Sequence, residues 1–478
     1  MSDVNLKTTP DKKNRKKIFN INSFPNGFVI LFTIIVSVGL LTYLVPAGEY
    51  QSIEVDGQER IDPNSFQYIE QTPVALFDIF KAIPNGINQA TMLIIMIILI
   101  GAAIRIFDGT GAIKGAIFRL SNVIGKEKSE YVLASLMIFF GCLGAFPGML
   151  EGVIPFAPLC IGIALSLGYD VIVGISIAFI SVVVGWTAGP SNPWTVGIGH
   201  TLAGLPMFSG FAYRFIVFIV LMAVSIFYVL QYAKKVKKDP TKSIVYETHI
   251  KSNSYAELGV DGDIPFTTRH KGILLTFILT IAFILYGTFN WEWGLVEMST
   301  TYLLGGIIGG IIAGYTMNKI ADELLEGGKT IFVAAMAIGL ARAILVLLEQ
   351  GHIVDTVIHL MAAILDGLPT MVTAVAMFIV QTFINFFIPS GSGQAMATLP
   401  ILIPIADMVG VSRQLAILTF QFGDGLSNLI YPTVGALIAF IAFAKVSFNQ
   451  WIRFIMPYMC LIWATSVGLV IIAVFIGF

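Results

Sequence analysis

The sequence predicts an all-α polytopic membrane protein, folded as an inverted repeat with two re-entrant hairpins and two broken helices. Three observations carry that reading. The 478-residue chain is 56% hydrophobic and only 12% charged, whereas about a quarter of the residues of a soluble domain are charged. Its apolar segments are separated by loops whose charge changes sign along the chain. Polar, glycine-rich stretches also interrupt apolar runs at matching places in the two halves, although irregular backbone survives in a bilayer only against protein or a water-filled cavity.

A spanning helix needs roughly 20 apolar residues. The candidate segments are 27–46, 91–107, 131–146, 149–167, 171–188, 208–232, 272–290, 299–316, 331–348, 370–388, 395–408, an interrupted 412–445, and 454–476. The basic stretch Lys12, Lys13, Arg15, Lys16 and Lys17 ahead of the first has the look of a signal peptide. The run from Gly27 to Pro46 is too long for that and lacks a small-residue cleavage site, so it reads as a retained first helix.

The positive-inside rule sorts the loops. The basic tail puts the N-terminus in the cytoplasm. Loop 47–80, with Glu49, Glu54, Asp56, Glu59, Asp62 and Glu70 against Arg60, reads as outside; 108–129, with Lys114, Arg119, Lys126 and Lys128, reads as inside. Lys234, Lys235, Lys237 and Lys238 return the chain inside, and Lys445 and Arg453 mark the inside before a last helix that leaves the C-terminus outside. The expected layout is a tail (1–26), scaffold helices (27–130), a first hairpin with broken helix and following helix (131–232), and a cytoplasmic linker (233–271). A second scaffold part (272–369) and a second hairpin with broken helix and last helix (370–478) complete it.

The repeat itself is weak but ordered. "FDGTGAIKGAI" after 91–107 matches "LEQGHIVDTVI" after 331–348, on opposite sides of the membrane. "GAFPGMLEGVIPFAP" stands where "FFIPSGSGQAMATLP" stands in the other half, and "GWTAGPSNPW" where "GDGLSNLIYP" stands. Charge parity alone leaves open whether 131–167 and 370–408 are hairpins or full crossings; the Gly/Pro/Ser tips favour hairpins. Inverted repeats with discontinuous helices are the pattern of secondary transporters, and the breaks mark the site.

The candidate site follows. Pro389 ends one arm, Ser390 or Ser392 caps the next, and Gly391 and Gly393 let backbone approach a ligand. The first N–H groups of the arm after Gly393, beginning at Gln394, then form an anion site. Ser191 and Asn192 at one break and Ser427 and Asn428 at the other supply neutral donors and acceptors, and sodium is expected near Asn192 and Asn428. Glu151, just past Gly148 at the first tip, either complements a helix dipole or binds an ammonium, a cation or a proton. Asp424, placed in the second break, is favoured as a functional carboxylate over a turn residue, and Arg342 as a partner for a substrate carboxylate, for Asp424, or for a neighbouring helix. His352, Asp355 and His359 share one face of an outer helix, where a polar interfacial role outweighs metal binding. Arg105 is expected to snorkel.

Other classes fare worse. A net charge of −1 argues against nucleic acid. Cys142, Cys160 and Cys460 lie in apolar stretches and give no disulfide framework. An intramembrane hydrolase built on Ser392 lacks a base, since none of the five histidines is expected at the centre. A channel has no need of paired inverted hairpins.

The run "FFIPSGSGQAMATLPILIPIADMVGVSRQLAILTFQFGDGLSNLIYPTVG", with "GLARAI", "GHIVDTVI", "PGMLEGVIPFAPL", "LGYDVIVG" and "SNPWTVGI", resembles the YfcC-like proteins of the anaerobic C4-dicarboxylate carrier (DcuC-type) family, in the wider ion-transporter superfamily. The resemblance covers nearly the whole chain. It implies scaffold and transport domains, a homodimer, elevator movement and a bacterial cytoplasmic membrane location. It also implies a site at Gly148, Glu151, Asn192, Ser390, Gly391, Ser392, Gly393, Gln394, Asp424 and Asn428. The solute would be a C4-dicarboxylate or an amino acid with sodium or proton coupling, no other cofactor, or an arginine/ornithine-type exchange. This chain has Pro147-Gly148-Met149-Leu150-Glu151-Gly152 where relatives show a Gly-Met-Gly-Glu-Glu-like tip, and Asn428 where some carry histidine.

Overall fold

The computed structural model describes residues 27–55, 58–62, 64–250, 267–291, 293–365 and 367–478. The basic tail, Asp56, Asp366 and the 251–266 part of the linker lie outside the described residues, as do the side chains of Glu54, Glu59, Arg60, Lys114, Arg119, Lys126 and Lys128.

The first half runs α1 (Gly27–Leu41), α2 (Leu76–Gln89), α3 (Thr91–Gly109), α4 (Ala112–Ala145), α5 (Ala157–Ser166), α6 (Val171–Ala188), α7 (Ile198–Ala203) and α8 (Phe211–Lys238). The second runs α9 (Thr268–Trp291), α10 (Leu295–Ala313), α11 (Met317–Gln350), α12 (Val354–Ala363), α13 (Thr370–Phe387), α14 (Gly391–Met408), α15 (Arg413–Ser427), α16 (Gly435–Phe443) and α17 (Phe448–Ile476). Among the described residues, seven helical stretches are long and apolar enough to cross a membrane. Side-chain caps start several of them: Asp170 accepts from Val173 N–H at α6, Thr316 from Lys319 at α11, and Ser412 from Leu415 at α15.

Two groups of helices emerge from the packing. α11 lies along α1, α2 and α3, and α3 continues onto α10. In the other group α4, α5 and α8 pack on α6, α13 and α14 pack on α15, α6 and α15 meet, and α17 touches α8 and α13. Small residues permit these approaches: Gly144 and Gly185 let α4 and α6 come backbone to backbone, and Gly423 lies against Gln381 and Thr382 of α13.

Two features differ from the sequence expectation. The acidic loop after α1 contains short strands, β1 (Gly48–Glu49), β2 (Ser52–Val55), β3 (Gln58–Ile61) and β4 (Gln67–Tyr68), with β1 antiparallel to β4 and β2 to β3. Helix α2, with Pro84 inside it, occupies residues read as loop, because its polar and apolar residues fall on opposite faces rather than forming one apolar run. The loop is clasped by α12: Tyr50 N–H donates to Asp355 Oδ2 (3.1 Å), Tyr50 Oη meets His359 Nδ1 (3.1 Å), and Phe66 stacks on the His359 ring at 3.8 Å. Asp355 and His359 thus hold a loop. Arg105, expected to reach for the interface, forms an ion pair with Glu323 at 3.1 Å.

Candidate functional site

Two helical turns frame the site. In the first, α4 and α5 lie side by side, with Phe140 against Phe156 (5.7 Å between ring centroids), joined by a tip in which Gly148 adopts φ +69°. A Cβ on Gly148 would stand 2.5 Å from Asn192 Oδ1 and 2.7 Å from Trp194 Cδ1, so only glycine admits the first break to this tip. In the second, α13 and α14 lie side by side. Gln381 Nε2 donates to Thr398 Oγ1 (2.8 Å) and Gln394 Nε2 to Gln381 O (2.9 Å) across the pair.

The tip between α13 and α14 is tighter than expected. The second arm begins at Gly391 rather than after Gly393, and the cap is Ser390, whose Oγ accepts from Gly393 N–H at 3.3 Å. Gln394 N–H bonds to Ser390 O at 2.7 Å. Gly391 and Ser392 N–H are left without a partner among the described residues, which leaves them available to an anion.

The breaks differ in kind. Gly189 (φ +24°) and Pro190 end α6; Asn192 Oδ1 then accepts from Trp194 N–H (2.9 Å), and a wide turn closes from Gly197 N–H to Asn192 O at 3.0 Å. In the second half, α15 continues to Ser427, so Asp424 sits inside the helix, one turn before a break at 428–434. Gly423 and Gly425 do not interrupt it. They serve close approach, Gly423 to α13 and Gly425 to Thr187 of α6.

One cavity of about 460 Å³ lies between the two helix groups. It brings together Gly148 and Glu151 of the first tip, Ser390, Gly391 and Ser392 of the second, and Asn428 of the second break. Glu151 is exposed to it. Arg342 reaches it from α11, its Nε donating to Gln89 Oε1 of α2 at 2.9 Å, and both residues line the wall. Other predicted residues stand behind that wall. Asp424 is fully buried and accepts from Trp186 Nε1 at 2.7 Å, so its partner is a tryptophan and not Arg342. Asn192, Gln394 and Ser427 are fully buried, Gly393 lies in the first turn of α14, and Ser191 is half-buried and outside the cavity.

Several residues escaped the sequence reading. Trp186 and Trp194 both line the cavity; Trp186 reads as ordinary apolar content of segment 171–188, and Trp194 stands in the first break without being singled out. Asn385 donates to Asp424 O (3.0 Å), Ser427 Oγ (2.7 Å) and Asn428 Oδ1 (2.9 Å), tying the second tip to the second break. Gln381 and Asn385, one turn apart in an apolar arm, were a visible signal. Arg214, a charge inside the apolar segment 208–232, was another. It is fully buried, and its guanidinium bonds to Gln421 Oε1 and Gln414 O; Gln421 Nε2 in turn reaches Thr195 Oγ1 at 3.1 Å. His200, one of the five histidines not expected at the centre, is buried beside this group, with Nε2 3.2 Å from Gln414 Oε1.

Comparison with known proteins completes the picture. The C4-dicarboxylate anaerobic carrier (DcuC) family model matches residues 24–475. A protein of Escherichia coli (strain K12) named "Putative basic amino acid antiporter YfcC" is 30% identical over 471 residues, covering 90% of this chain and 92% of its own. An uncharacterized protein of Haemophilus influenzae is 26% identical over 507 residues, covering 96% and 98%. Among solved structures, the Alcanivorax borkumensis YdaH transporter aligns over 95% of this chain and 99% of its own at 14% identity, with a TM-score of 0.40. The family match and the 30%-identical relative each span nearly the full length, and the chain therefore belongs to the C4-dicarboxylate anaerobic carrier family.

Proposed function

We propose that this membrane transporter is a secondary active carrier of the cytoplasmic membrane that moves a small carboxylate-bearing solute, and that the solute is an α-amino acid. The observation that carries the reading is a cavity of about 460 Å³ in which a pair of N–H groups unpartnered among the described residues and a carboxylate face one space. A solute carboxylate docks on Gly391 and Ser392 N–H, where a helix N-terminus favours negative charge. Its ammonium turns to Glu151. A C4-dicarboxylate in the same pose brings its second carboxylate toward Glu151 with only Arg342 to offset the repulsion. Trp186 and Trp194 line the same cavity, and indoles attract guanidinium and ammonium groups, which suits the basic amino acid exchange for which the Escherichia coli relative is named.

The two helix groups act, in this reading, as a scaffold (α1–α3, α9–α11) and a transport unit that rides against it. The α4–α5 and α13–α14 pairs act as re-entrant hairpins of an inverted repeat, and the carrier as a homodimer with its N-terminus in the cytoplasm and its C-terminus outside. A sodium or proton gradient, or exchange, drives uptake.

A thermal-shift screen of the purified chain tests the solute, because a ligand that binds only the native form raises its melting point. Amino acids, basic ones above all, are expected to stabilise it, and Glu151→Gln to abolish the response. Stabilisation by dicarboxylates alone, lost in Arg342→Gln and kept in Glu151→Gln, reverses the assignment. Saturable uptake into proteoliposomes, abolished by Ser392→Trp and Asn192→Ala, tests the transport step.

A further inference from the structure

Behind the second tip stand three buried oxygens that accept no hydrogen bond: Asn385 Oδ1, Gln394 Oε1 and Asp424 Oδ1. Their residues are fully buried, on three helices that pack on one another, α13, α14 and α15. The amide ends are fixed by their nitrogens. Asn385 Nδ2 serves Asp424 O, Ser427 Oγ and Asn428 Oδ1, and Gln394 Nε2 serves Gln381 O and Oε1. Asp424 Oδ2 is taken by Trp186 Nε1. No buried side-chain donor on these three helices is free to answer the three acceptors, and no lysine or arginine forms an ion pair with Asp424 among the described residues. Arg214, buried on α8, directs its two terminal nitrogens to Gln421 and Gln414, and its Nε is without a partner among the described residues.

A buried carboxylate with no counter-charge is costly, and so is each buried acceptor without a donor. On these three helices the deficit is one-sided: the orphaned atoms are acceptors, one of them on a carboxylate. A proton on Asp424 would supply one donor against two bare amide oxygens. A small metal cation among these helices would answer bare oxygens with positive charge and balance the carboxylate. Carboxylate and amide oxygens are hard ligands of the kind sodium takes. The oxygens predicted from sequence for this role are otherwise engaged, Asn192 Oδ1 by Trp194 N–H and Asn428 Oδ1 by Asn385.

We propose that Asn385, Gln394 and Asp424 bind one desolvated sodium ion. The inference rests on the transporter reading and identifies its coupling ion. Asn385 lies on the arm that enters the second tip and Gln394 on the arm that leaves it, so an ion held by both fixes the turn at Pro389–Ser392 between them. That turn presents Gly391 and Ser392 N–H to the solute. A Cβ on Gly391 would lie 3.1 Å from Asp424 Oδ2 and 2.6 Å from Trp186 Cζ2, which puts the carboxylate directly behind the surface on which the solute carboxylate docks. Sodium and solute therefore order the same few residues from opposite sides, and each lowers the cost of binding the other.

The test uses the purified full-length chain in detergent, without solute, at constant ionic strength, with sodium chloride replaced by N-methyl-glucamine or potassium chloride. The melting temperature is expected to rise saturably with sodium and not with potassium. Asp424→Asn supplies N–H donors to the bare amide oxygens and removes the charge. It is expected to raise the sodium-free melting temperature and abolish the sodium response. Gln394→Met is expected to weaken sodium binding by about tenfold, which corresponds to roughly 1.4 kcal/mol. Should either variant fold poorly, radiolabelled sodium retained by the native chain and displaced by unlabelled sodium supports the site. No sodium response, an equal response to potassium, or a full response in Asp424→Asn overturns it. A melting point that answers to pH alone assigns a proton and overturns it as well. Because neither solute nor gradient is present, a negative result here leaves the uptake assay untouched, and failed uptake leaves sodium binding intact.

Discussion

Gly391 shows how little room a single residue of the site has. Its missing Cβ is the space in which Trp186 of α6, Asp424 of α15 and Thr195 of the first break converge. Gly391→Ala is expected to force the tip outward at a cost of about 1–3 kcal/mol and to reduce solute affinity at least tenfold, read by isothermal titration against the native chain. Ser390→Ala removes the cap on α14 and is expected to lower stability by about 1 kcal/mol, measured as a drop in melting temperature. At this scale the sequence was informative where chemistry is unusual for its surroundings. The Ser390–Gly393 run, Glu151 and Asp424 all announced themselves as polar groups in apolar segments. Trp186 did not, because an indole in a hydrophobic run is indistinguishable from packing until its ring is seen on a cavity wall, and Trp194 was passed over beside the polar residues of its break. Ser191 carried the right motif and missed the cavity, since the turn begun at Asn192 directs Trp194 there instead.

At the scale of elements, helix interruption proved harder to read than helix existence. Two glycines flanking Asp424 look like a break, yet α15 passes through them because both face neighbouring backbone or side chains that no larger residue would admit. The clasp between the β1–β4 loop and α12 was hidden for a different reason: Tyr50 and His359 are 309 residues apart in the chain. Burial, aided by the Asp355 carboxylate, pushes the Tyr50 hydroxyl up to about 12. A phenol ordinarily titrates near 10, so the folded chain holds this proton more tightly than the unfolded one. The stabilisation is complete below about pH 10 and is lost as pH rises toward 12. Hydrogen exchange in residues 47–55 should accelerate across that window beyond its intrinsic pH dependence, and Tyr50→Phe should flatten the excess.

For the molecule as a whole, membrane character and the order of its elements were legible because hydropathy and loop charge are local properties. The division into scaffold and hairpin-bearing parts was an expectation of the weak repeat and of the family resemblance, whereas the helix faces that meet were not legible from local properties. Gly435 of α16, a helix that packs on α5 and α6 of one group and on α11 of the other, faces Ile338 of α11, its Cβ position 3.3 Å from Ile338 Cγ2. In a background lacking Cys142, Cys160 and Cys460, oxidised Ile338→Cys/Gly435→Cys is expected to stop uptake, and reductant to restore it. Unimpaired uptake by the fully cross-linked protein would show that the groups need not slide. The pairing of Trp186 with Asp424 joins residues 238 positions apart, and Gly391 lies between them. During synthesis, then, the first tip and its carboxylate must wait in the bilayer until more than 200 further residues have left the ribosome. A chain stalled or truncated before α15 would hold Glu151 and Trp186 with nothing to close over them. Nascent half-proteins of this kind should be conspicuous substrates for membrane quality control.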